Sequence, residues 1–90
     1  MAIVFDPAKS LRNIRERGLS FDRANNFDFA TATLRIDDRE DYGEVRIRAI
    51  GFLDARLHTL VFTDQGEDMR IISLRKSNRT EMRLYDEDIG

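Results

Sequence analysis

The sequence predicts an α+β fold in a single domain that spans residues 1–90. Two observations predict it: helix signals lie near both ends of the chain, and apolar residues recur at every second position through its middle. A chain of 90 residues forms one small domain with a modest core. The predicted order of elements is β-α-α-β-β-β-β-α, with the helices covering one face of the sheet.

A short strand and two helices are predicted first. Ile3–Phe5 is the strand, and a helix follows over Pro7–Arg17, since proline is tolerated at the first helical position. Gly18 suits the left-handed residue that ends a helix. Ser20 caps a second, short helix that is predicted to end near Asp28. The apolar stripe expected to face the core from the first helix consists of Ala8, Leu11 and Ile14.

Four strands and a last helix follow. The period of two runs through Thr31–Ile36, Val45–Ala49, His58–Phe62 and Met69–Leu74. The short connections between them predict an antiparallel four-stranded meander. Asn78 with Glu81 three residues later has the pattern of a capping box, which opens a helix that is predicted to continue through Tyr85.

Composition excludes several classes of protein. The absence of cysteine excludes disulfides and thiolate metal sites, and a single histidine excludes a histidine-rich metal site. The net charge of -2 argues against a protein that coats nucleic acid non-specifically. The adjacent carboxylates of Asp37–Asp41 are expected to form a solvated loop rather than a magnesium site. We expect no metal, no cofactor and no membrane span, and with no signal peptide at the start, a cytoplasmic protein.

Positive charge is concentrated near the end of the chain. Residues Arg70–Tyr85 read RIISLRKSNRTEMRLY and hold five cationic residues against one acid. Arg46 and Arg48 lie two apart on one predicted strand, so they project from the same face. Arginine suits phosphate because its planar fork donates two parallel hydrogen bonds. These residues therefore predict a site for phosphate or an acidic partner, although a solvated outer face of the sheet would also carry such charges.

The order of the motifs resembles the BrnT toxins of bacterial type II toxin–antitoxin systems. The matching residues are Phe5-Asp6-Pro7 with Lys9, Asn13 with Gly18-Leu19-Ser20-Phe21 and Ala24, Gly43-Glu44 with Arg46 and Ala49-Ile50-Gly51, Val61-Phe62-Thr63, and Arg70–Tyr85. The resemblance implies a RelE-like fold and a metal-independent ribonuclease that stops translation. It also implies a BrnA-type antitoxin, a ribbon-helix-helix protein that neutralises the toxin and through which alone the complex contacts DNA.

The resemblance also implies which residues act. Carried over by motif, the candidate catalytic residues are Arg46, Arg70, Arg75, Lys76 and Glu81. The positions of the other cations and of one aromatic residue in the sequence itself add the candidate RNA-binding residues Arg17, Arg48, Arg79 and Tyr85. In metal-independent cleavage the ribose 2′-oxygen attacks the adjacent phosphorus while cations stabilise the transition state. Arginine stays protonated at neutral pH and so is a poor base or acid. The candidates for the base that removes the 2′ proton are Glu44 and Glu81, and the candidates for the acid that protonates the leaving oxygen are Lys76 and Tyr85.

One departure from the family pattern concerns activity. Most BrnT chains have Lys-His before the glycine that ends the first helix, and this chain has Glu16-Arg17. Two alternatives to a ribonuclease therefore stay open: a catalytically weak module that binds the antitoxin and co-represses the operon, and a small structural domain. A homodimer without antitoxin is also compatible with the sequence.

Overall fold

The computed structural model describes residues 2–90, which form an α+β domain with a five-stranded mixed sheet. Its elements are β1 (Ala2–Val4), α1 (Pro7–Arg17), a 3-10 helix (Phe21–Asn26), β2 (Thr33–Ile36), β3 (Ile47–Leu53), β4 (Arg56–Gln65), β5 (Asp68–Lys76) and α2 (Arg79–Ile89). The strand order is β1-β5-β4-β3-β2. Strand β1 runs parallel to β5, and the other neighbours are antiparallel. The predicted fold class is thus confirmed. No helix among these residues is long and apolar enough to cross a membrane.

Two-residue turns join β3 to β4 and β4 to β5. Asp54 and Ala55 form the β3–β4 turn with φ of 53° and 62°. Two consecutive residues with positive φ match the right-handed twist of the flanking strands. Only Gly66 and Glu67 separate β4 from β5, and Gly66 has φ 74°.

A β-bulge in β5 determines which side chains share a face of the sheet. Arg70 pairs with Thr63 and Arg75 pairs with Thr59, and the register shifts between these pairs at Val61/Phe62. Residues five apart on a regular strand point to opposite faces. The bulge places one extra residue of β5 between them, which compensates for the odd spacing, so Arg70 and Arg75 project from the same face.

The hydrophobic core lies on the opposite face of the sheet, which we call the core face. Its buried residues are Phe21, Ala24, Phe27, Ala49, Leu53, Leu60, Phe62, Met69, Ile71 and Leu74. Burying each large side chain contributes about 1.5–3 kcal/mol. Gly51 lets the 3-10 helix approach, because a Cβ there would lie 2.8 Å from Ala32 Cβ and 2.9 Å from Phe27 Cζ.

Helix α1 does not pack on the core through its apolar stripe, and that prediction is wrong. Leu11 is 60% exposed and Ile14 is 42% exposed, whereas Ser10 and Asn13 are buried. The side-chain amide of Asn13 donates to the carbonyls of Leu19 at 2.8 Å and Leu74 at 2.9 Å. Hydrogen bonds to the edge of β5 therefore fix α1, with a polar face turned inward.

The 3-10 helix and α2 cover opposite faces of the sheet, rather than one face as predicted. The ring of Tyr85 in α2 meets Phe52 edge-on at 5.8 Å, on the face away from the core residues. The capping box is confirmed, since Asn78 and Glu81 each accept a hydrogen bond from the other's backbone N–H. Helix α2 continues past Tyr85 to Ile89, and Arg35 holds its last turn through two bonds to Asp88 at 2.7 and 3.0 Å.

Candidate functional site

Four arginines on the sheet face opposite the core pair with two glutamates. The arginines are Arg46, Arg48, Arg70 and Arg75, and we call this set the arginine face. Arg46 directly precedes β3 and shares the face with Arg48, as the spacing of two predicts. The bulge in β5 places Arg70 and Arg75 on this face as well. Glu81 pairs with two of these arginines and Arg17 lines a groove beside Arg46, so the structure brings together six of the nine residues named from the sequence.

Glu81 binds one pair of these arginines from the first turn of α2. Arg75 donates from Nη1 to Oε1 at 2.6 Å and from Nη2 to Oε2 at 2.8 Å. Arg48 Nη1 lies 3.8 Å from Oε2 on the other side. The Glu81 side chain is only 2% exposed, so substrate cannot reach it without displacing an arginine.

The pKa of Glu81 is set by opposing effects. Burial favours the neutral acid and would raise its pKa, but hydrogen bonds from Arg75 and from the backbone N–H of Asn78 outweigh this. The pKa is therefore lowered, and Glu81 is a buried carboxylate held by its partners.

Glu44 binds the second pair of arginines from the loop before β3. Arg70 Nη2 donates to both carboxylate oxygens at 2.9 and 3.1 Å, and Arg46 Nε donates to Oε2 at 3.1 Å. The hydrogen bond from Arg46, together with the charge of Arg70, lowers the pKa of Glu44. The Glu44 side chain is 32% exposed, so solvent reaches this carboxylate.

Tyr42 belongs to the same group of side chains, although sequence reasoning missed it. The guanidinium carbon of Arg46 lies 4.0 Å from the centre of the Tyr42 ring. This is the geometry of a cation–π contact, which fixes the guanidinium and keeps its charge. The signal that could have found Tyr42 is its position two residues before Glu44 and four before Arg46.

Two buried polar atoms on the arginine face are unsatisfied. Arg48 Nε and Thr63 Oγ1 have no hydrogen-bond partner within residues 2–90. Thr63 pairs with Arg70 in the sheet, so the two side chains project from the same face. A buried polar atom without a partner carries a desolvation cost, and these two lie on the same side of the sheet as the arginines.

A basic groove continues from the arginine face to α1. This cavity, the helix groove, has a volume of about 290 Å³, and Arg46 forms part of its wall. Its charged lining residues from α1 are Lys9, Arg12, Glu16 and Arg17. Sequence reasoning named only Arg17 of the three cations. The spacing of Lys9, Arg12 and Glu16 by three and four residues, which places them on one helix face, could have identified the others.

The remaining predicted residues lie elsewhere. Lys76 is adjacent to Arg75 on β5 and pairs with His58, so it projects from the opposite face. Arg79 is exposed at the start of α2. Tyr85 is 5% exposed and its hydroxyl donates to the carbonyl of Thr31 at 3.0 Å, which does not favour contact with RNA. The orientation of Lys76 and the burial of Tyr85 separate these two from the arginine face.

The acidic loop after β2 is partly built into the fold rather than wholly solvated. Asp37 is buried and accepts two hydrogen bonds from Arg39, at 2.7 and 2.8 Å. These bonds lower the pKa of Asp37. Over residues 2–90, no group of three or more histidine, aspartate or glutamate side chains is arranged to hold a metal ion.

Four arginines beside a basic groove form a surface that suits an anionic group such as phosphate. The chain matches a family of ribonuclease toxins from type II toxin–antitoxin systems over residues 5–81. This match covers most of the chain, and the protein belongs to that family, BrnT, as its motifs indicate. Membership implies an antitoxin partner. No curated protein matches the sequence.

Proposed function

We propose that this chain cleaves RNA by metal-independent attack of the ribose 2′-oxygen and thereby inhibits translation in the cytoplasm. The observation that carries the proposal is the arginine face, where four guanidinium groups surround only two carboxylates. The excess positive charge suits the phosphodiester, whose negative charge grows in the transition state.

The arginines act as electrostatic stabilisers in this proposal. Attack on phosphorus forms the bond to the 2′-oxygen and breaks the bond to the 5′-oxygen of the next nucleotide, which takes a proton from water and leaves as a 5′-hydroxyl. Arg46 and Arg70 lie at the more solvent-accessible part of the face. They are placed to donate to the phosphoryl oxygens, and arginine keeps its charge throughout.

Glu44 is the better candidate for the base that removes the 2′ proton. It is accessible and lies between Arg46 and Arg70, so a phosphate bound to those arginines would also bring its ribose near Glu44. Glu81 has both carboxylate oxygens bound to Arg75 and is buried, so we assign it the role of positioning Arg75 and Arg48.

The helix groove extends the path for RNA. Lys9, Arg12 and Arg17 line it together with Arg46, so one backbone could cross the arginine face and continue along α1. Contacts from lysine and arginine to phosphates away from the scissile bond would fix the position of the strand. Glu16 also lines this groove and reduces its positive charge.

We assign control of the toxin to a BrnA-type antitoxin with a ribbon-helix-helix DNA-binding fold. Family membership supports an antitoxin partner, and the motif resemblance supports its type. The RelE-like architecture is part of the same proposal. In this scheme the chain itself contacts RNA, and DNA only through the antitoxin.

Expression in bacteria and cleavage in vitro test the proposal together. Induced wild type should arrest growth, and the purified protein should cleave RNA in buffer with EDTA. Arg46→Ala and Arg70→Ala should abolish both effects, whereas Arg15→Ala, a cation on α1 outside the helix groove, should not. Loss of cleavage in EDTA, or equal activity of all variants, would overturn the proposed mechanism.

A second candidate function is an antitoxin-binding module with weak catalysis. The pairing of all four arginines with Glu44 and Glu81 favours it, because RNA must compete with these carboxylates. Wild type that binds antitoxin and represses its operon, yet neither slows growth nor cleaves RNA, would identify this function.

A further inference from the structure

An apolar groove lies on the core face, beyond the 3-10 helix. It has a volume of about 600 Å³, and we call it the apolar groove. Its apolar walls are formed by Ile3, Phe29, Leu34, Ile47, Phe62 and Met69. The groove is on the side of the sheet opposite the arginine face, so it serves no step of RNA cleavage.

The apolar surface continues from the groove onto the edge strand β2. Leu34 is 58% exposed and Ile36, two residues along the same face, is 60% exposed. Strand β2 ends the sheet, and no other strand of residues 2–90 pairs with its outer side. Soluble proteins rarely leave an apolar patch beside an open strand edge, because this invites association.

The rim of the apolar groove is acidic. Asp64 lines it directly, and Asp22 accepts a hydrogen bond from Asn25, which also lines it. Neither lysine nor arginine is among the lining residues. The charge here is opposite to that of the arginine face.

We propose that the apolar groove and the edge of β2 bind a basic amphipathic segment of the antitoxin. Apolar side chains of this segment would fill the groove, and flanking lysines or arginines would face the acidic rim. This inference rests on the proposed function, because a type II toxin has an antitoxin as its partner.

The charge of the rim selects this occupant over two others. A second copy of the chain would bring the same carboxylates to the contact, and like charges at an interface are repulsive. An acidic segment would be repelled here and attracted to the arginine face. A basic segment gains both the apolar contact and the charge complementarity.

Charge-reversed and charge-introduced variants of the full-length chain test the proposal. Leu34→Lys and Asp64→Lys change exposed side chains, and calorimetry would measure their affinity for the antitoxin encoded in the same operon. We expect affinity to fall roughly 30-fold or more, as for the central residues of an interface, while RNA cleavage is unchanged. Leu11→Lys and Asp86→Lys are matched controls on α1 and α2, and both should bind normally.

Each other outcome has a defined meaning. Groove variants that bind antitoxin as wild type does would overturn the inference. So would loss of antitoxin binding by Arg70→Ala alone, which would place an acidic segment on the arginine face. Self-association that Leu34→Lys abolishes, with unchanged antitoxin binding, would assign the groove to a second copy. If the wild type cleaves no RNA, the proposed ribonuclease function is refuted. The antitoxin titrations still test whether the apolar groove binds the antitoxin.

Discussion

Two glutamates with similar partners have different surroundings, and this difference decides their roles. Both accept hydrogen bonds from arginine, and both have a lowered pKa. Glu44 is in a surface loop and is reached by solvent, whereas Glu81 is enclosed by Arg75, Arg48 and the start of α2. Accessibility therefore separates a candidate base from a positioning residue.

Glu44→Gln tests the assignment of the base. Loss of a general base lowers kcat by about 10²- to 10⁴-fold, which a quench-flow or gel assay of RNA cleavage would measure. The lowered pKa keeps Glu44 ionised until the pH falls below about 4.3, the ordinary value for glutamate. We expect the wild-type rate to decline on this acidic side and the variant to show no such limb.

The opposite outcome is also informative. If Glu44 merely occupies the phosphate position, Glu44→Gln leaves kcat unchanged and binds RNA more tightly, because Arg46 and Arg70 no longer have a competing carboxylate. Asp41→Asn, an exposed carboxylate in the same loop, is the matched control and should alter neither kcat nor affinity.

At the scale of elements, the junction of β5 and α2 depends on Glu81. Its carboxylate both caps the helix and binds Arg75. We expect Glu81→Gln to lower the free energy of unfolding by about 1–2 kcal/mol at pH 7, since the amide keeps the cap but loses the charge pair. Urea denaturation followed by circular dichroism would measure this.

The same variant should flatten the pH dependence of stability. Because the pKa of Glu81 is lowered in the folded protein, its contribution is fully present above the unfolded value of about 4.3 and is lost as the pH falls through the folded pKa. The difference in unfolding free energy between wild type and Glu81→Gln should therefore decrease as the pH falls below about 5. Glu87→Gln, on the exposed end of α2, should have the same unfolding free energy as wild type at neutral and at acidic pH.

Helix α1 depends on one polar residue in a comparable way. Asn13→Ala would remove two side-chain donors and leave the Leu74 carbonyl at the edge of β5 without its α1 partner. We expect a loss of about 2 kcal/mol in unfolding free energy, together with faster hydrogen exchange in α1. Asn25→Ala removes bonds that are local to the 3-10 helix, and a loss equal to that of Asn13→Ala would contradict this role.

Elements that depend on near neighbours were predictable from the sequence, and those that depend on distant ones were not. The caps at Gly18 and Asn78 are local backbone chemistry, and both are confirmed. The inward face of α1 depends instead on the Leu74 carbonyl, 61 residues from Asn13, so helical periodicity misassigned Leu11 and Ile14. The bulge in β5 has no sequence signature, although it decides where Arg70 and Arg75 point.

At the scale of the whole molecule, the net charge of -2 conceals a division between two faces. The arginine face and the helix groove are basic, and the rim of the apolar groove is acidic. The distribution of charge along the sequence indicated a local basic site. The spacing of two on the predicted strand placed Arg46 and Arg48 on one face. The orientation of Lys76 follows from strand alternation once β5 is known to continue to that residue, whereas the burial of Tyr85 depends on its bond to the distant Thr31 carbonyl.

The salt dependence of RNA binding tests whether the basic side acts as one surface. A protein that neutralises phosphates releases counterions, and for single strands the slope of log affinity against log salt changes by about 0.7 for each contact. Arg12 lines the helix groove and Arg15, one turn along α1, is not among its lining residues. We expect Arg12→Ala to reduce the slope by about that amount, and Arg15→Ala to leave it unchanged. Fluorescence anisotropy with a short RNA at several salt concentrations would measure both. Equal slopes for the two variants would show that RNA does not enter the helix groove and that binding is confined to the arginine face.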